Sequence, residues 1–100
     1  MLKSSQRAQL RAIANGLDTI VQVGKGGITE NVIKQVDSAL TAREIIKGRV
    51  LEASMLSARE AAEALAPDCG AEIVQIIGSR FVLYRENKKL PAEKRIKLVK

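Results

Sequence analysis

The stretch Val21–Thr29, VQVGKGGIT, sets three glycines around one lysine. Glycine loses more conformational freedom on folding than any other residue, so three within four positions need a local reason. One reason is a sharp turn from strand into helix, since glycine reaches positive φ without steric cost. The other is an anion: bare backbone N–H groups at a helix start can approach a phosphate closely, and Lys25 adds a full positive charge beside them. The two are compatible, and together they mark Gly24, Lys25, Gly26 and Gly27 as a candidate phosphate-contacting loop. Such contacts hold a polyanion in position without reading its sequence.

Other chemistries fit poorly. The Walker pattern needs a final Gly-Lys-Ser/Thr, whereas Lys25 lies inside the glycines; the dinucleotide fingerprint fails because Thr29 stands at its last glycine. The sequence contains no histidine and one cysteine, Cys69, which excludes a structural zinc site, a Cys/His nucleophile pair and an intramolecular disulfide. Glu60 and Glu63, three apart on one helix, read as capping and surface groups. No cofactor, no metal, no small-molecule substrate and no enzymatic activity are expected.

Seventeen Lys and Arg against eleven Asp and Glu leave a net charge of +6 over 100 residues, which favours polyanionic partners. The N-terminus lacks the apolar core of a signal peptide, and no run approaches the roughly 18 apolar residues of a membrane span. The expected protein is soluble, cytoplasmic and monomeric, with no membrane partner.

The elements that must hold the loop follow from periodicity. Leu10, Ile13, Ala14 and Leu17 repeat at helical spacing over Ser4–Asn15, with Gly16 as the stop, and Lys3, Arg7 and Arg11 form a basic row on another face. Thr19–Val23 is β-branched and short, a strand. Thr29 can cap a helix carrying Val32, Ile33, Val36, Ala39 and Leu40 and ending near Ala42. Residues 44–51 alternate as a second strand, with Lys47 and Arg49 on one face and Gly48 on the other; that glycine marks a bulge or a close approach by a neighbour. Ser57 and Glu60 form a capping box for a third helix, stopped by Pro67 and Gly70. Ile73–Ile77 and Phe81–Tyr84 flank a compact turn and make a hairpin, and their consecutive apolar residues predict a sheet covered on more than one side.

The resulting order is αβαβαββ, an α/β fold with a mixed four-stranded sheet. Its two strand–helix–strand connections predict parallel strand pairs, and the hairpin adds an antiparallel one. Phe81 and Tyr84, the two aromatics, are assigned to packing. Residues 1–85 form the expected domain. Residues 86–100 form a basic tail with six Lys or Arg and two Glu, expected to be mobile or loosely docked.

A GxxG loop that clamps a nucleic-acid backbone is known in the KH type of RNA-binding module. More specifically, the chain from VQVGKGGIT through EIVQIIGSRFVLYR resembles the CRM domain, and looks most like its bacterial stand-alone form, the YhbY family. The resemblance spans about residues 3–85. It implies a fold similar to the C-terminal domain of translation initiation factor three, association with precursors of the large ribosomal subunit, and RNA contact through the GxxG loop and a basic surface. Candidates for that surface are Arg7, Arg11, Lys34, Lys47 and Arg49. The implied partner is structured ribosomal RNA; the alternative is an adaptor engaging an acidic protein surface. Gly48 departs from the bulkier strand residue of related sequences.

Overall fold

The computed structural model describes residues 2–99. Its elements are α1 (Ser4–Asn15), β1 (Thr19–Val23), α2 (Glu30–Arg43), β2 (Ile45–Val50), α3 (Ala58–Cys69), β3 (Glu72–Ile77) and β4 (Arg80–Tyr84), followed by a 3-10 turn at Ala92–Lys94. The order and the mixed α/β class agree with the sequence reading. Side chains hold the helix starts as expected. Thr29 Oγ1 accepts the Val32 N–H at 3.2 Å, and Ser57 and Glu60 exchange bonds of 3.1 and 2.9 Å.

The strands lie in the order β1-β2-β4-β3. β1 and β2 pair in parallel, while β4 pairs antiparallel with both β2 and β3. The second strand–helix–strand connection therefore does give two strands of one direction, but β4 is inserted between them. Helices cover both faces, which explains the consecutive apolar runs. On one face α2 and α3 bring Val36, Leu40, Ala61 and Leu65 against Val21, Val23, Ile46, Phe81 and Leu83. On the other, Leu10 and Ala14 of α1 meet Ile45, Val74, Val82 and Tyr84.

Gly48 is explained by its cross-strand partner. It sits opposite Phe81, and a Cβ there would fall 2.3 Å from the ring's Cζ. The ring thus occupies the volume a side chain would need, while the irregularity in the neighbouring ladder falls on β1, between Thr19 and Val21. Phe81 is fully buried and cannot swing outward. Gly48→Ala should cost about 1–3 kcal/mol through overpacking, read as a lower midpoint in a urea melt at unchanged slope.

Pro67 does not end α3, which runs on to Cys69 and is closed by Gly70 in the left-handed region at φ 63°. The proline removes one helical donor, the partner of the Glu63 carbonyl, and Glu63 is exposed so that water can serve it. The helix end is sealed instead by the Ala71 N–H on the Ala66 carbonyl at 2.8 Å.

Glu44, read from sequence as the first residue of a strand, is a left-handed cap of α2 at φ 66° and is wholly buried. Its carboxylate accepts the N–H of Asn87 at 2.7 Å and of Ile96 at 2.6 Å, with Arg95 Nε at 3.9 Å. The segment after Arg85 is accordingly docked. Ile96 and Leu98 pack against the α1 cluster, Gln9 Nε2 donates to the Lys97 carbonyl at 2.7 Å, and Gln9 Oε1 accepts from Val99 N–H at 2.8 Å. Apolar residues too scattered for a helix still anchor an extended strap once side chains satisfy its backbone.

Arg85 joins three elements. Its guanidinium donates to Asp37 Oδ1 at 2.6 Å, the Asp37 carbonyl at 2.9 Å, Thr41 Oγ1 at 2.7 Å and the Cys69 carbonyl at 2.7 Å. It ties the end of β4 to α2 and α3. Cys69 is buried beneath it, and burial, reinforced by the Asp37 carboxylate, raises the thiol above its ordinary value. A neutral thiol in the core is a packing group.

Candidate nucleic-acid interface

The glycine loop leaves the C-terminal end of β1 and delivers the chain to α2. Gly24 and Gly27 close a turn through the Gly27 N–H on the Gly24 carbonyl at 3.0 Å, which places Lys25 and Gly26 at its tip. Gly27 has φ 69°, in the region that favours glycine; Gly24 and Gly26 do not enter that region. The loop rests on the β2–α3 connection. The Leu51 N–H donates to the Val23 carbonyl at 2.9 Å, and methyls of Leu51 and Leu56 stand 3.8 Å from where Cβ atoms of Gly24 and Gly27 would lie. This support holds the tip in a defined place.

In this loop the amides of Gly24, Lys25, Gly26 and Ile28 donate to no group among the described residues, whereas those of Gly27 and Thr29 are engaged within the loop. Lys25 is exposed and unpaired. Glu30 already supplies a negative charge to the first turn of α2. Lys25 and the unengaged amides therefore put positive charge at the loop itself, beside a helix start that Glu30 already complements.

The remaining candidates divide by face. Lys34 is exposed on α2 and lines a shallow groove of about 550 Å³ along β1 with Ile20, Asn31, Gln35 and Arg43. Lys47 and Arg49 project from β2 to the opposite face, the one that carries α1. The register puts Arg49 opposite Gln22, next to the loop end of β1, and Lys47 opposite Thr19, at the other end of that strand. Arg7 is not brought to the loop. The Arg7 guanidinium donates to the Ile73 carbonyl of β3, the far edge strand, and Arg11 continues that row one turn on. Arg7 is thus a tie between α1 and the sheet.

Sequence reasoning missed Arg80. The turn signal Gly78–Ser79–Arg80 concealed it, yet it is the first residue of β4, exposed, and directly opposite Arg49. Strand alternation backward from Val82 would have placed it on the Lys47–Arg49 face. Phe81 and Tyr84 are both buried, so neither offers a stacking surface. Among the described residues, no cluster of His, Cys, Asp and Glu could hold a metal, and no helix is long and apolar enough to cross a membrane.

The candidate site is thus a glycine turn beside a sheet end that carries Arg49 and Arg80, on a small α/β module. The chain belongs to the CRS1/YhbY (CRM) domain family, whose model matches residues 2–85. It is 46% identical over 88 residues to "Probable RNA-binding protein YqeI" of Bacillus subtilis, covering 88% of this chain and 92% of that one. A Haemophilus influenzae protein named "RNA-binding protein" is 32% identical, covering 87% and 88%. The solution structure of a hypothetical Staphylococcus aureus protein superposes with a TM-score of 0.79 at 44% identity, covering 99% of this chain and 100% of that one.

Proposed function

We propose that the protein binds structured RNA of the large ribosomal subunit precursor and assists ribosome assembly, acting as a binder and not as an enzyme. The observation that carries this reading is the corner itself: unengaged loop amides beside an exposed ammonium group, on a turn supported by the β2–α3 connection. The names of the relatives support RNA as the ligand, and the CRM resemblance supports the ribosomal precursor. In this reading Lys25, Gly26 and the adjoining amides hold backbone phosphates. Lys34 extends the contact along α2, and Lys47 and Arg49 extend it across the sheet.

Cross-linking the protein in cell extract and sequencing the attached RNA tests the reading. Precursor ribosomal RNA of the large subunit should be enriched, with a footprint that shrinks in a Lys25→Asp variant. If the captured partners were instead proteins that persist after nuclease treatment, the adaptor alternative would replace it.

A further inference from the structure

The strand register places four residues in one row across the whole sheet, on the face that carries α1. Gln22 lies opposite Arg49, Arg49 opposite Arg80, and Arg80 opposite Ile77. Like charges directly opposite one another destabilise a sheet. Nevertheless, among the described residues neither arginine has a carboxylate within ion-pair distance or a hydrogen-bond partner for its side chain. A pairing that works against the fold, left without a protein counterion, points to an anion from outside.

Beside this row, where α1 ends, Asn15, Lys47, Gln75, Ile77, Arg80 and Val82 enclose a cavity of about 140 Å³. Val82 supplies a buried apolar floor, and Ile77 an apolar wall that is 58% exposed. The side-chain amides of Asn15 and Gln75 have no hydrogen-bond partner among the described residues. Apolar surface for a flat ring, two amides that each donate and accept, and flanking cations are the groups that recognise a nucleotide.

We propose that this cavity receives one unstacked nucleobase of the bound RNA, with the Arg49–Arg80 pair holding its phosphate. The proposal rests on the RNA-binding reading and deepens it. The glycine loop grips phosphates, which carry no sequence information. With both aromatics buried, the amide-lined cavity supplies the base contact that the loop lacks.

The test uses the full chain and short single-stranded RNA oligonucleotides that differ at one base, with affinity read by fluorescence anisotropy and folding by a thermal melt. The parent should discriminate among the bases. Gln75→Ala should flatten that discrimination while retaining overall affinity. Arg80→Glu should weaken binding by about tenfold while its melting temperature holds or rises, because a glutamate opposite Arg49 replaces a like-charge pair with an opposite one; Arg80→Gln provides a milder second variant. The cavity assignment is overturned if Gln75→Ala discriminates as the parent does, or if both Arg80 variants bind like the parent while Lys25→Asp loses affinity. That last pattern leaves RNA binding through the loop standing. A parent that binds none of these RNAs and no ribosomal RNA overturns the RNA reading itself, and the cavity assignment with it.

Discussion

Glu44→Ala should lower stability by roughly 3–5 kcal/mol, because it removes the buried acceptor of two backbone N–H groups, each bonded to a charged carboxylate worth about 1.5–3 kcal/mol. For a domain of this size the melting temperature falls by on the order of 15–25 °C. The loss is not local. Asn87 and Ile96 donate to that carboxylate at 2.7 and 2.6 Å, so its removal frees the strap whose Ile96 and Leu98 close the α1 side of the core. Limited proteolysis should then cut within residues 86–99 well before the rest of the chain unfolds. Glu44→Gly separates the two roles of the position: it relieves the φ of 66° but also lacks the acceptor, so it should melt above Glu44→Ala and below the parent. If the alanine variant melted within a few degrees of the parent, the strap would contribute little to the fold.

Tyr84 reports the same region by titration. Burial raises its phenol above the ordinary value, and the Glu44 carboxylate adds to the shift. The folded pKa is therefore above the unfolded one, so this contribution to stability is complete below about pH 10 and is lost as pH rises through the folded value. An absorbance titration of the phenolate should show an earlier onset in Glu44→Ala, both because a negative charge has gone and because the loosened strap admits water.

What the sequence disclosed and what it concealed follow from the range of the interactions. The stripe Leu10, Ile13, Ala14 and the β-branched run at Thr19–Val23 are local patterns, and they located α1 and β1 within the boundaries observed. Gly48 was legible as an anomaly, since glycine inside an alternating strand signals a close approach, but the Phe81 ring that causes it depends on cross-strand register. Glu44 was not legible. Its partners lie 43 and 52 residues away, and a charged residue at a helix–strand junction ordinarily reads as solvated. The docking of the tail was hidden for the same reason. In the candidate interface, the loop could be placed at the β1–α2 corner from composition alone, and alternation set Lys47 and Arg49 on a common face. Arg80 needed the register, and the use of Arg7 as an inter-element tie needed the sheet order.

Lys25→Asp should weaken binding to ribosomal RNA by roughly tenfold to a hundredfold, because it exchanges an attraction to phosphate for a repulsion at the tip of a supported turn. The fold should be unaffected. Lys25 is exposed, contacts no acidic group among the described residues, and precedes the one position in the turn that requires positive φ. Salt dependence distinguishes a phosphate contact from a general loss of net charge. The slope of log affinity against log salt, about 0.7 to 0.9 per phosphate neutralised, should fall by about one. A charge reversal at Arg59, exposed on α3 and paired with Glu63 at 4.0 Å, changes the net charge equally and should leave that slope nearly intact. If the two reversals weakened binding alike at every salt concentration, the loop would be acting as diffuse positive charge, and the unengaged amides of Lys25, Gly26 and Ile28 would have no phosphate to hold.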